Sequence, residues 1–412
     1  MNTVTRPGDR GKHSASPLLI AVFLVLTGVC AALHVWKVPP ALPFMQRELG
    51  MDLVRSGFLL ASVQMAGMLL GLGIGLISEK IGLRRCILTG LGILSLASLI
   101  GSLFEHSSLV LLGRMIEGCG FLMVVLPMPA LIKRITDAAR LSRVMGLWGC
   151  YMPAGAVLML WAGAAWLAVG SWRTLWVVLG VLTAIFMVLT FILVPPDSQT
   201  QTKRATQDIS AYHWSSLLRT TLSSGRVWLL ALAFGVYAAQ WAAVVGFMPT
   251  IYNQAEIAVG TAGLLTALIA AGNVVGNLGA GRCLHAGIPP HRLLQAGYLG
   301  MIACAVLAFG LTQSLVVQFV AILLFSIVGG LIPATLFFLS VTAAPSPETT
   351  STSVGWVQQC SSLGQFVGPP VVASVVHALG GWQWAWVATV SFAVLGLIIA
   401  WRLSRLVLPN GR

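Results

Sequence analysis

Twelve apolar runs, each long enough to cross a bilayer as a helix, leave this chain little choice of fold. They fall at about 17–40, 55–77, 86–104, 109–132, 143–168 and 173–194, then at about 227–250, 259–281, 293–313, 315–342, 352–378 and 383–402. A spanning helix needs about 20 apolar residues, whereas a barrel strand needs about 9 to 11. Inside lipid every backbone N–H must find an acceptor within the protein, so runs of this length read as helices. The expected fold is all-α: a membrane protein of twelve transmembrane helices. Charged residues make up 8% of the chain against about 25% in soluble domains, which excludes a water-soluble enzyme.

The net charge of +13 does not point to nucleic acid, because the basic residues sit in short clusters between apolar runs and form no stripe. Their distribution orients the chain instead. With the N-terminus in the cytoplasm, nineteen of the twenty-four Lys and Arg fall on that side, so both termini are expected to be cytoplasmic in a multi-pass protein of the inner (plasma) membrane. The run from Pro17 to His34 exceeds a signal-peptide core and has no small-residue cleavage site before Lys37, so it reads as a retained first helix. The long polar insert at 195–226 separates six runs from six. It implies a tail at 1–16, a six-helix bundle at 17–194, a cytoplasmic linker at 195–226, a second six-helix bundle at 227–403 and a tail at 404–412. Equal division by a mid-chain linker is the organisation of a transporter built from two parallel halves. The seven cysteines show no C-x-x-C and read as small apolar packers.

Between the second and third runs stands Gly75-Leu76-Ile77-Ser78-Glu79-Lys80-Ile81-Gly82-Leu83-Arg84-Arg85. This resembles the signature loop of the major facilitator superfamily, G-x-x-x-D-R/K-x-G-x-R/K-R/K, with Glu79 in place of Asp. The resemblance implies two six-helix bundles and makes Gly75, Glu79, Lys80, Gly82, Arg84 and Arg85 a conformational latch, whose carboxylate meets an Arg or helix N-terminus of the neighbouring bundle. Gly272 to Arg282 reads as a degenerate echo of the same loop between helices 8 and 9. Gly113-Arg114-Met115-Ile116-Glu117-Gly118-Cys119-Gly120 is similar to the family's helix 4 pattern, with Glu117 where Gln is common. Helix 11 carries Gly355, Gly364, Gly368 and Pro369. The helix 5 pattern of drug and proton exchangers is incomplete, with Gly146, Gly149, Pro153 and Gly155 alone. Lys37-Val38-Pro39-Pro40-Ala41-Leu42-Pro43, the run Met145 to Pro153 and Ser171-Trp172-Arg173 also look like the cyanate-permease-like branch.

An ionisable side chain in a span costs at least about 2.5 kcal/mol on insertion scales, so each one needs a partner or a wet cavity. His34 and Lys37 lie three residues apart on helix 1, as do Arg114 and Glu117 on helix 4, so each pair shares a helix face. In the superfamily helices 1, 4, 7 and 10 line the central cavity, which would bring both pairs to one space. Lys37 or Arg114 is then a docking cation for an anion, and Glu117 or His34 the group that gains and loses a proton; the alternative is a structural lock. The second half offers neutral amides: Gln240, Asn273 and Asn277, Gln358 and Gln359. Asn273 and Asn277 read equally as interhelical glue. Trp148 and Trp241 are candidates for stacking on solute, while Trp36, Trp166, Trp172, Trp214, Trp228, Trp382, Trp384 and Trp386 read as interfacial anchors.

The expected protein is a secondary active transporter moving a small solute, an organic or inorganic anion, by alternating access with proton coupling. Expected substrate-binding residues are His34, Lys37, Arg114, Trp148, Gln240, Trp241 and Gln359, and the coupling residues Glu117 and Arg114. No cofactor, metal site or catalytic cluster is expected, and no nucleotide loop follows the Gly repeats. Its partners are the solute, a co- or counter-transported proton and the lipid bilayer, with the protein a monomer. The alternatives are a proton-driven exporter of drugs or siderophore-like metabolites, and a transporter-like sensor that moves nothing.

Overall fold

A computed structural model describes residues 17–137, 144, 147–148, 150–197, 214–342, 344–346 and 349–407. The apolar runs form helices, and no strand occurs among the described residues. In the first half these are α1 (Leu18–Leu49), α2 (Leu53–Gly71, continuing helically to Ile81), α3 (Leu83–Gly101), α4 (Ser107–Ile135), α5 (Tyr151–Leu167) and α6 (Trp172–Leu193). The second half comprises α7 (Gly225–Gln254), α8 (Val259–His285), α9 (Pro290–Leu311), α10 (Leu315–Ser340), α11 (Thr352–Leu379) and α12 (Trp382–Arg405). Eleven of them are long and apolar enough to cross a membrane, and α5 is a shorter apolar helix. Gly146 and Gly149, from the helix 5 pattern, lie outside the described residues.

Several boundaries differ from the sequence reading. The first helix continues past residue 40 to Leu49, although Pro39, Pro40 and Pro43 lie in its path. Proline supplies no N–H, so Pro39 and Pro40 cannot bond the carbonyls one turn back; the helix is interrupted at Lys37 and resumes at Val38. Part of the segment read as linker is helical, at Trp214–Leu222. The supposed loop echo at Gly272–Arg282 lies inside α8, which runs unbroken to His285. The turn itself is at Gly287, whose φ of +83° answers the +106° of Gly82. Both glycines adopt backbone that a side chain would strain.

The two halves repeat one architecture. Pro43 and Glu48 of α1 match Pro249 and Gln254 of α7 at one constant spacing, and α4 and α10 keep it through Leu126-Pro127 and Ile332-Pro333. Contacts repeat as well. Trp172 Nε1 donates to Glu48 Oε2 at 2.6 Å, and Trp382 Nε1 to Gln254 Oε1 at 2.8 Å. These bonds tie the start of the sixth helix of each half to the end of its first. Trp36 and Trp172 are thus not interfacial anchors: they are 7% and 1% exposed, one against Trp241 and the other against Trp176 and Glu48.

Between the halves, α2 packs along α11, the end of α1 against α7, and α5 against α8. Gly57 fits against the Pro369 backbone, and Ala164 occupies the space where Gly263 has no side chain. The α2–α11 contact runs from Gly57 against Pro369 to Gly71 beside Gln359.

Candidate functional site

Pro39 has no N–H for the Val35 carbonyl one turn back, and Arg114 of α4 binds that carbonyl together with the one of His34. Its guanidinium donates to His34 O at 2.7 Å and Val35 O at 3.3 Å, and to the Glu117 carboxylate one helical turn along. Glu117 accepts from Lys37 Nζ at 2.5 Å as well. Lys37 also donates to Ser98 Oγ of α3 at 2.8 Å, and Ser98 donates onward to Trp176 O of α6 at 2.8 Å. The ammonium lies over the Trp176 ring, 4.2 Å from its centroid, a favourable placement for a cation. The two i, i+3 pairs are therefore one cluster, and none of its four side chains is more than 1% exposed.

His34 completes it. Its Nε2 lies 2.7 Å from Thr183 Oγ1, and that hydroxyl spends its own hydrogen on Leu179 O at 2.8 Å. Thr183 must therefore accept, so Nε2 carries the imidazole hydrogen and Nδ1 presents its lone pair. Nδ1 faces Glu117 Oε1 at 3.8 Å and has no hydrogen-bond partner. A proton arriving at Nδ1 turns two acceptors that repel into a donor and an acceptor. With the imidazole neutral, one Lys, one Arg and one Glu leave a single positive charge uncompensated, and burying such a charge is costly.

The cluster is built between α1, α3, α4 and α6, within the first half. The α2–α3 turn stands apart from it. There Asp197, from the start of the linker, accepts from the N–H groups of Arg84 (2.9 Å) and Arg85 (3.2 Å), so the first turn of α3 is capped from within the same half. Arg84 donates to Phe191 O at 2.6 Å. Asp197 was not singled out in the sequence reading, and its place directly after Pro195-Pro196 gave no hint of a cap. Gly75 lies within the α2 helix, and the side chains of Glu79 and Lys80 are outside the described set.

The remaining candidates are dispersed. Trp148, 8% exposed, stacks on Tyr151 at 4.3 Å and presses on Gly28, all within the first half. Gln240 is fully buried in α7, and neither amide atom has a partner among the described residues. Trp241 donates to Ser326 Oγ at 3.1 Å and meets Trp36 of the other half edge-on at 5.5 Å. Gln359 donates to Met68 O at 2.7 Å, also across the halves, whereas Gln358 is exposed. Asn273 binds Tyr237 Oη and Ser326 O, and Asn277 binds Asn273 O, which is the glue arrangement. Between the halves lies a hollow of about 30 Å³ whose walls include Trp36, Pro39, Gln64, Gly246, Gln365 and Pro369. Gln64 and Gln365 join the halves there through a 3.0 Å hydrogen bond. No metal-binding group of His, Cys, Asp or Glu occurs among the described residues.

Two repeated helical halves that meet around a small hollow, with ionisable side chains buried in one of them, define a membrane transporter class. The Major Facilitator Superfamily model matches residues 24–369, and the chain belongs to that family. It is 26% identical over 264 residues to the cyanate transport protein of Escherichia coli (strain K12), covering 62% of this chain and 64% of that protein, a likeness that supports the cyanate-permease-like branch. The match thus spans under two thirds of that relative's length. Among solved structures, a bacterial homologue of the human lysosomal transporter Spinster, inward-facing and unoccupied, superposes with a TM-score of 0.83 at 17% identity, covering 96% of this chain and 98% of that one. A D-xylose-proton symporter gives 0.72 at 14% identity, covering 94% and 97%. These structural likenesses establish the fold.

Proposed function

We propose that the protein is a secondary active transporter that carries a small anion across the inner membrane by alternating access, coupled to protons. One observation carries the reading: a fully buried cluster of Lys37, Arg114, Glu117 and His34 with one positive charge in excess and a histidine nitrogen facing a carboxylate. Excess buried charge favours an anionic partner nearby. The imidazole offers a proton a bare nitrogen that faces the Glu117 carboxylate. His34 and Glu117 exchange the proton, while Arg114 and Lys37 hold Glu117 between them and bias the site toward an anion. Gln240, Trp241, Gln359 and Trp148 are the neutral contributors. The bundles at 17–194 and 227–403 rock about the 195–226 linker, and the Gly75–Arg85 segment latches one state. The cyanate transport of the Escherichia coli relative agrees with a small anion as solute.

Proteoliposomes under an imposed pH gradient test it. Labelled cyanate or another small monovalent anion should accumulate, and Glu117→Gln should abolish the proton-driven part. Unchanged uptake by Glu117→Gln at several pH values removes the cluster from coupling. A resistance or secretion phenotype without anion uptake favours an exporter, and binding without accumulation favours a sensor.

A further inference from the structure

Where α9 starts and α12 stops, the second half holds three arginines for which neither helix supplies an acid. We propose that Arg292 of α9 and Arg402 and Arg405 of α12 bind the phosphate of an anionic phospholipid whose acyl chains lie along the two helices. The assignment is independent of the solute and of its coupling.

Two contacts set the register of these helices. Gly310 of α9 faces the Trp386 ring, where an added side-chain carbon would lie 3.2 Å away, and Gly396 of α12 faces the Tyr298 ring. Numbers fall along α9 as they rise along α12, so the helices are antiparallel. Counting on by the same six residues from the second contact, from 298 to 292 and from 396 to 402, brings Arg292 and Arg402 to one depth at about 1.5 Å per residue. Arg405 follows one turn beyond Arg402, and all three are exposed. The exposed faces lead to them: Leu299 and Ala296 step toward Arg292, and Leu395 and Ile398 toward Arg402 and Arg405. Steps of three or four residues keep each stripe on one side of its helix, apolar along its length and cationic at its rim.

Trp401, 48% exposed, marks the level of the membrane interface, and the Arg405 guanidinium lies 3.6 Å from its ring centroid. Among the described residues none of the three guanidinium groups makes an ion pair or a side-chain hydrogen bond with the protein. Arg84 of the first half differs, since it donates to Phe191 O. Like charges on two neighbouring helices repel, and a phosphate relieves that repulsion because its oxygens accept from guanidinium N–H groups in pairs. A lipid suits the site better than free phosphate, which would leave the adjoining apolar stripes unused. Bound there, one headgroup ties the start of α9 to the end of α12.

Native mass spectrometry of the purified full-length protein, in detergent with equal amounts of phosphatidylglycerol and phosphatidylcholine, tests the assignment. An arginine near an anionic headgroup contributes about fivefold, so wild type should retain phosphatidylglycerol in preference by at least about tenfold. Changing Arg292, Arg402 and Arg405 together to Gln should remove the preference, and Arg402→Gln alone should reduce it several-fold, which keeps the test decisive if the triple variant fails to fold. Arg282→Gln, at an equally exposed arginine near the end of α8, should leave it unchanged. No preference in wild type, or a full preference in the folded triple variant or in Arg402→Gln, overturns the proposal. An equal loss from Arg282→Gln also overturns it, in favour of diffuse basic charge, and displacement of the lipid by millimolar sodium phosphate overturns it in favour of a free-anion site.

Discussion

At the scale of single residues, Thr183 governs the chemistry available to His34. Its hydroxyl is committed as a donor to Leu179 O, which fixes the imidazole hydrogen on Nε2 and turns the bare nitrogen to Glu117. Thr183→Val removes that acceptor and leaves a buried N–H unpaired, at a cost of about 1–3 kcal/mol. The expected results are a lower thermal unfolding midpoint and an altered pH profile of proton-driven uptake, both restored by Thr183→Ser; an unaltered profile in the Val variant denies Thr183 this role. The i, i+3 spacing made the partners on each helix legible in advance, because it is local. Ser98, Trp176 and Thr183 were not, since they reach the cluster from 61 to 149 residues away along the chain, and as isolated polar or aromatic residues in apolar runs they carried no signal. Packing alone selected them.

At the scale of helices, small residues decide how near two axes come. At Gly276 of α8 a side-chain carbon would run into the Ile327 carbonyl of α10, whereas at Gly73 of α2 nothing lies within 4 Å. Gly276→Ala should therefore destabilise the protein by about 1–3 kcal/mol through forced separation of the helices, and Gly73→Ala should change stability by no more than about 0.5 kcal/mol. Unfolding midpoints in one detergent compare them directly; equal midpoints would contradict the packing at Gly276. The sequence pattern identified α8 as rich in glycine and took Gly272–Arg282 for a turn. Glycine signals both turns and close helix contact, and only the positive φ at Gly287 separates the two uses. Helix number and type were legible because lipid leaves few alternatives, while the length of α1 was not. Its prolines looked like a terminus, yet Arg114 satisfies the carbonyls of His34 and Val35 and lets the helix resume.

At the scale of the whole molecule, the halves meet along α2 and α11, where an ideal side-chain carbon at Gly71 lies 3.9 Å from Gln359 Cβ. That separation suits a disulfide, whose Cβ atoms lie about 3.8 Å apart. In a background lacking the native cysteines, Gly71→Cys with Gln359→Cys should cross-link under mild oxidation and stop uptake, and a reductant should restore it. Uptake that continues at full rate in the cross-linked protein would show that these helices need not part during transport.

The repeat that relates the halves stops at their ions. At the constant spacing, the places of His34, Lys37, Arg114 and Glu117 are taken in the second half by Gln240, Ala243, Val320 and Leu323. An elementary charge left over on one side of a rocking pair does electrical work whenever it shifts along the membrane normal, up to about 2.3 kcal/mol per 100 mV for a full crossing. An empty carrier is then sensitive to voltage. One loaded with a monovalent anion alone is electrically silent, and one that also carries the coupled proton is charged again.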